Sequence, residues 1–229
     1  MAPGRPTIVA MSSSTPKIKF CGITSVEDAE HALAAGAWAL GLIFWRGSQR
    51  RVKRADAAAV AAQARREAEV VGVFVNASLE TVTSTAEAVG LTVLQFHGDE
   101  GPAYCAEAAR RTGCEVIKAA RVRSRADIQA LAPFHTDYHL LDSYARDRPG
   151  GTGETFAWDL ARRHERVTRV ILSGGLTPEN VAGAIETVRP YAVDVATGTE
   201  LAPGRKDPAK LAAFAAAVKG AGLPVSPAA

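Results

Sequence analysis

A cysteine near the start of the chain and an aspartate far downstream each close a short apolar run. The two runs read Lys19-Phe20-Cys21-Gly22-Ile23-Thr24 and Leu140-Leu141-Asp142-Ser143. A thiol that can ionise and a carboxyl that can hold a proton are the two halves of general acid–base catalysis. Two glycine-rich turns follow, Gly150-Gly151-Thr152-Gly153 and Ser173-Gly174-Gly175-Leu176, and a further small turn lies at Thr197-Gly198-Thr199. Glycine lets backbone N–H groups approach an anion closely, and a helix starting just behind adds favourable partial charge. The combination points to proton transfer on a small phosphorylated substrate.

Something must hold these residues together, and the chain alternates with a regular beat. Short β-rich runs fall at Ile18–Cys21, Ala39–Phe44, Val70–Val75, Thr92–Phe96, Glu115–Ala119, His139–Asp142, Thr168–Leu172 and Tyr191–Ala196. Segments rich in Ala, Glu and Arg lie between them and carry helix signals. Ser25 followed by Asp28 is an N-cap pattern, Thr177-Pro178-Glu179 puts proline in a first turn, and Lys206-Asp207-Pro208 opens a last helix over Ala209–Lys219. Eight strand–helix units of about 25 residues each make the length of a single (β/α)8 TIM barrel, an α/β fold. The strands read as nearly continuous apolar runs, as parallel strands buried on both faces should. A doubly wound open sheet is the alternative, but it would put its phosphate loop after the first strand, whereas the glycine turns here follow late ones. In a barrel the site forms where strands run into their following loops, and the loops after strands seven and eight commonly hold a phosphate.

Composition narrows the function classes. Of 229 residues, 47% are hydrophobic, enough for a sizeable core, and the net charge is only +3. Runs such as Arg50-Arg51-Val52-Lys53-Arg54 read as solvated helix ends, and with 6% aromatics there is no basic stripe with interleaved rings, so nucleic acid is not an expected partner. Three cysteines in a chain this long make no disulfide framework, and neither Cys105 nor Cys114 has a neighbouring set with metal-ligand spacing, so no metal is expected. No apolar stretch is long enough to span a bilayer, and the first residues lack a signal-peptide core. The expected organisation is a disordered leader over 1–16, a barrel over 17–221, a loose tail over 222–229, and a cytoplasmic location. On pattern alone, Cys21 also reads as an inert core thiol, Asp142 as a loop cap, Arg50 as surface charge and His97 as a satisfied polar core residue.

The ordered set of motifs decides between these readings. It runs from Lys19-Phe20-Cys21-Gly22-Ile23-Thr24 through Gly41-Leu42-Ile43-Phe44, Ser48-Gln49-Arg50, Gly72-Val73-Phe74-Val75-Asn76 and Leu94-Gln95-Phe96-His97-Gly98-Asp99-Glu100. It ends with Leu141-Asp142, Gly150-Gly151-Thr152-Gly153, Leu172-Ser173-Gly174-Gly175-Leu176, Val193-Asp194, Pro203-Gly204 and Lys206-Asp207. In this order, from Lys17 to Phe214, the chain resembles the phosphoribosylanthranilate isomerases of tryptophan biosynthesis. The resemblance implies an Amadori rearrangement of N-(5-phosphoribosyl)anthranilate to 1-(2-carboxyphenylamino)-1-deoxyribulose 5-phosphate without a cofactor, by a monomer or homodimer. It implies Cys21 as general base, Asp142 as general acid, Arg50 on the anthranilate carboxylate, and Lys19 and His97 lining the site. Gly151, Gly153, Ser173, Gly174, Gly175, Thr197 and Gly198 are then the phosphate-binding set. Thr197-Gly198-Thr199 departs from the family's usual serine-rich turn, which changes only the detailed phosphate contacts. A sister sugar isomerase of histidine biosynthesis would carry an aspartate where Cys21 stands, and a non-catalytic binding barrel would have no use for the Cys21/Asp142 pair.

The protonation states are the demanding part. A free thiol titrates at about 8.5 and is mostly protonated at neutral pH. The chemistry wants a thiolate at Cys21 and a proton on Asp142, so nearby positive charge and burial, respectively, are expected. Lys19, two residues before Cys21 and on the same side of its strand, is the candidate charge, with a structural pairing as its other reading. Cys21 is therefore expected to titrate below an ordinary thiol.

Overall fold

A computed structural model describes residues 15–64, 66–142, 158–162, 164 and 168–221. Eight parallel strands close on themselves in chain order: β1 (Lys17–Cys21), β2 (Ala39–Ile43), β3 (Glu69–Phe74), β4 (Val93–Phe96), β5 (Glu115–Arg121), β6 (Tyr138–Asp142), β7 (Arg169–Ser173) and β8 (Ala192–Val195). The last strand pairs with the first, with Lys19 aligned to Asp194 and Phe20 to Val195. The expected eight-stranded barrel is therefore the fold, and each strand lies within a few residues of its expected place.

The absence of period-two patterning has a direct cause, since both strand faces are buried. Ile18, Phe20, Leu40, Leu94, Leu141 and Leu172 point outward into a core shared with the helices. Ala39, Val71, Val93, Ile117, Leu140, Ile171 and Ala192 point inward and fill the barrel. Inward residues near the strands' C-terminal ends are the ones that can reach a site at that end.

The helices start and stop where their caps dictate. Ser25 accepts the Asp28 N–H at the head of α1 (Val26–Ala34), α2 (Arg54–Ala64) follows β2, and Ser78 accepts the Thr81 N–H at the head of α3 (Leu79–Val89). Pro102 opens α4 (Pro102–Thr112) and left-handed Gly113 closes it. The helix expected from Thr177-Pro178 begins later, at Val181, and runs to Val188. The Thr177 N–H is bonded to Asn180 Oδ1 at 2.8 Å, and both Asn180 and Val181 N–H groups donate to the Thr177 carbonyl, which gives a tight turn before the helix proper. The C-terminal helix, Pro208–Ala221, is capped by Asp207, whose Oδ1 accepts the Ala209 N–H at 2.9 Å.

The N-terminal end of the barrel is closed by aromatic and cationic side chains. Trp38, Tyr138 and Tyr191 have ring centroids 5.5–5.6 Å apart. The Lys17 ammonium lies 5.2–5.3 Å from the Trp38 and Tyr191 rings, and the Arg169 guanidinium packs over the two tyrosines. The opposite end carries a short hairpin, β9 (Glu200–Ala202) with β10 (Arg205–Lys206), just after β8. Among the described residues, that asymmetry leaves the C-terminal face the more open of the two. No helix among the described residues is long and apolar enough to cross a membrane.

Candidate active site

A cavity of about 910 Å³ opens at the C-terminal face. Cys21 reaches it from the end of β1, Arg50 from the loop after β2, His97 from the end of β4, and Asp142 from the end of β6. Ser173, Gly174 and Gly175 after β7, and Thr197 and Gly198 after β8, form one wall. Residues spread over almost two hundred positions thus converge on one volume, large enough for a phosphorylated sugar carrying an aromatic ring. The expected glycines Gly151 and Gly153 lie outside the described residues.

The wall between β7 and β8 has the shape of an anion cradle. Gly174 and Gly175 both take left-handed backbone conformations, φ +99° and +65°, which leaves the chain small and tightly curved there. Asn180 pins this loop, donating from Nδ2 to the Gly175 carbonyl at 2.9 Å. Across from it, Gly198 lies so close to the next loop that a Cβ would collide with the Leu176 carbonyl. The two turns therefore meet without side chains between them, as backbone recognition of a phosphate requires.

Below the cavity lies a charged layer. Lys19 does not line the cavity, contrary to the expectation. Its side chain is wholly buried and its Nζ sits 2.6 Å from Asp194 Oδ1. Asp194 Oδ2 in turn accepts from the Ser173 hydroxyl at 2.9 Å, linking the pair to the glycine turn after β7. Burial works against the Lys19 charge, but Asp194 and the Cys21 thiol more than offset it and leave the ammonium firmer than an ordinary lysine. Gly41 shows how near the thiol and ammonium are to each other. A Cβ placed there would be 2.7 Å from Cys21 Sγ and 3.1 Å from Lys19 Nζ.

The thiol reverses a second expectation. Burial pushes Cys21 above an ordinary thiol, and the opposing pull of Lys19 and Lys206 does not overcome it, with Asp194 adding to the rise. The sequence showed the lysine but not the depth at which it acts. Positive charge and dryness arrive together, and dryness wins.

His97 does more than fill space. Its Nε2 lies 3.4 Å from Asp142 Oδ2, and its Nδ1 lies 3.2 Å from Gln95 Nε2. If the amide nitrogen donates to Nδ1, the imidazole carries its proton on Nε2 and offers it to Asp142. Arg50 sits at the mouth, its guanidinium forked onto Glu200 with Nη2 2.7 Å from Oε2. Burial pushes Glu200 up, but Arg50 and Lys206 outweigh it and hold the carboxyl below its ordinary range.

Four residues to which the sequence alone assigns no role, Gln95, Asp194, Glu200 and Lys206, thus complete the site. A lysine inside apolar β1 and an aspartate inside apolar β8, on strands that must meet if the barrel closes, were the available signal for Asp194. Among the described residues, no group of three or more His, Cys, Asp or Glu side chains is arranged to hold a metal ion.

Known proteins resemble the chain both in sequence and in fold. The model for N-(5'phosphoribosyl)anthranilate (PRA) isomerase matches residues 18–217. The N-(5'-phosphoribosyl)anthranilate isomerase of Citrifermentans bemidjiense is 47% identical over 203 residues, covering 89% of this chain and 97% of that relative. The crystal structure of phosphoribosyl anthranilate isomerase from Thermotoga maritima superposes with a TM-score of 0.81 at 37% identity, covering 90% of this chain and 99% of that one. A structure of such an isomerase in complex with reduced 1-(o-carboxyphenylamino)-1-deoxyribulose 5-phosphate gives a TM-score of 0.78 at 36% identity, with 90% and 99% coverage.

Proposed function

Because the chain belongs to the N-(5'-phosphoribosyl)anthranilate isomerase family, we propose that it converts N-(5-phosphoribosyl)anthranilate to 1-(2-carboxyphenylamino)-1-deoxyribulose 5-phosphate. One observation carries the reading for this chain. Cys21 and Asp142 face a single cavity from the ends of β1 and β6, beside a glycine-built cradle between β7 and β8.

The steps follow from where the groups stand. Phosphate held by the turns at Ser173–Gly175 and Thr197-Gly198 fixes one end of the sugar. Asp142 gives its proton to the furanose ring oxygen as the C1–O bond breaks, and the anilino nitrogen's lone pair forms a protonated Schiff base at C1. The Cys21 thiolate then takes the proton from C2, and the C–H electrons close the C1–C2 double bond and neutralise the nitrogen. The enolamine takes a proton at C1 and gives one up from the C2 hydroxyl, yielding the ketone with no net change in protons. His97 orients Asp142 from the side, and Arg50 at the mouth receives the ring carboxylate, for which a planar guanidinium is suited.

Cys21 is thus asked to act as a base from a dry site. Lys19 and Lys206 supply the charge that stabilises its thiolate when it forms. A reduced thiol is essential to this reading, and Cys21, Cys105 and Cys114 are all unpaired, as suits a cytoplasmic enzyme. The test follows the loss of phosphoribosylanthranilate fluorescence on adding purified protein, with substrate generated in situ. Conversion far above the spontaneous breakdown, abolished in Cys21→Ala and Asp142→Asn, is the expected result. Tight binding without turnover would replace the isomerase with a binding barrel.

A further inference from the structure

Glu200 begins the hairpin that follows β8, and its carboxylate takes three hydrogen bonds from one guanidinium. Arg50 Nε lies 2.8 Å from Oε1 and 3.0 Å from Oε2, and Arg50 Nη2 lies 2.7 Å from Oε2. Behind Glu200 stands Lys206, on the returning strand of the same hairpin, with a fully buried side chain. Its ammonium donates to the Ala196 carbonyl at 3.0 Å and lies 3.4 Å from Glu200 Oε1. The hairpin itself is tied to the first βα loop, where the Thr24 hydroxyl donates to the Gly204 carbonyl at 2.5 Å.

Exposure runs in one direction through this cluster. The Lys206 side chain is 0% exposed, Glu200 3% and Arg50 21%. A buried carboxylate, backed by a buried ammonium, therefore grips one edge of a guanidinium that extends into the cavity mouth. Two cations and one anion leave the cluster with a charge of +1. We infer that Glu200 is a positioning residue that presets Arg50 for the aryl carboxylate of the substrate, while Lys206 keeps the cluster positive despite that internal pairing. This rests on the reading of Arg50 given above.

Two effects compete when Glu200 is neutralised. Arg50 loses the charged half of its fork, keeps the longer bond from Nη2 to the Thr197 hydroxyl at 3.3 Å, and must be ordered in larger part by the ligand, which carries the entropy of a long side chain. Against that, Arg50 loses an internal competitor for its charge, a gain reduced by screening at a water-facing mouth. The lost orientation outweighs that screened gain, so the variant weakens binding.

The experiment measures dissociation constants for two ligands, reduced 1-(2-carboxyphenylamino)-1-deoxyribulose 5-phosphate and the same molecule without its ring carboxylate. The proteins are wild type, Glu200→Gln, Arg50→Ala and the double variant. Glu200→Gln is expected to weaken the carboxylated ligand about tenfold, equivalent to ~1.4 kcal/mol, and the decarboxylated ligand less than twofold. In the Arg50→Ala background the same change should add nothing. Glu200→Asp keeps Lys206 paired but shortens the fork, so it carries the test if the glutamine variant does not fold, with the same selective loss expected. Equal weakening of both ligands, tighter binding of the carboxylated one, or independent addition to Arg50→Ala would each overturn the positioning role. Arg50→Ala protein that binds both ligands as wild type does would overturn the carboxylate reading of Arg50 first, and the role of Glu200 with it.

Discussion

Replacing Lys19 with methionine removes one half of a buried ion pair while keeping most of the side-chain volume. The lysine and Asp194 are 0% and 7% exposed, with 2.6 Å between Nζ and Oδ1. At that separation and an effective dielectric constant near 20, the attraction is ~6 kcal/mol. Both ions gave up hydration to form it, so the pair as a whole contributes far less than this. The cost of breaking it from one side is different, because Asp194 would stay buried with only the Ser173 hydroxyl at 2.9 Å for company among the described residues. Removing one partner of such a pair costs about 3–5 kcal/mol, whereas replacing both with neutral groups of similar shape is often close to neutral. Lys19→Met and Asp194→Asn should therefore each destabilise by about 3 kcal/mol or more, and the double variant by much less than their sum. Urea unfolding followed by tryptophan fluorescence at pH 7 gives the four corners of the cycle. A coupling of at least ~2 kcal/mol is the expected result. Additivity within ~0.5 kcal/mol would refute the view that this pair is a coupled unit.

The other predictions concern single residues. Gly198→Ala should raise KM about tenfold or more and weaken competition by inorganic phosphate, because its Cβ collides with the Leu176 carbonyl; an unchanged KM would remove that turn from the phosphate cradle. Cys21 is pushed up by burial against the pull of Lys19, so the pH of half-maximal alkylation, read by mass spectrometry of its peptide, should lie above the ordinary thiol value of about 8.5. A midpoint at or below that value would contradict the dry-site picture, and in Lys19→Met the midpoint should rise further. Burial pushes His139 down to about 4, with the neighbouring His164 adding to the fall. The unfolded chain therefore binds the extra proton first as pH drops, and stability should be lost from about pH 6.5 toward pH 4. His139→Gln should flatten that acid limb in a melting-temperature series, and an unaltered limb would assign acid sensitivity elsewhere.

Much of this architecture is legible in the amino-acid order, for identifiable reasons. Parallel strands buried on both faces read as largely apolar runs, so β2 and β7 stand out, and a polar residue at a strand's C-terminal end lies near the mouth. That logic locates Cys21, Asp142 and Ser173 without a structure. Local rules locate the caps at Ser25 and Asp207, but at Thr177 the asparagine three residues on competes for the backbone and delays the helix. What local rules cannot supply is depth. Lys19 reads as a charge near Cys21 whether it lies in the cavity wall or beneath the floor, and only the packing of eight strands shows that it lies beneath. The hidden partners of Arg50 escape for the same reason, since Glu200 and Lys206 sit in a polar stretch that looks solvated until the hairpin folds back on the barrel.

The pairing of β1 with β8 also sets a clock. Lys19 and Asp194 are 175 residues apart, and the ribosome adds roughly 5–20 residues per second. For about 9 to 35 seconds, then, a nascent chain holds a first strand whose inward lysine has no counter-ion and whose outer hydrogen-bonding edge has no neighbour. During that interval the ammonium is better left in water than enclosed, which disfavours premature collapse of the growing sheet around β1. Closure becomes favourable only when the aspartate emerges, so the ion pair that braces the finished barrel also delays its sealing until the last strand has been made.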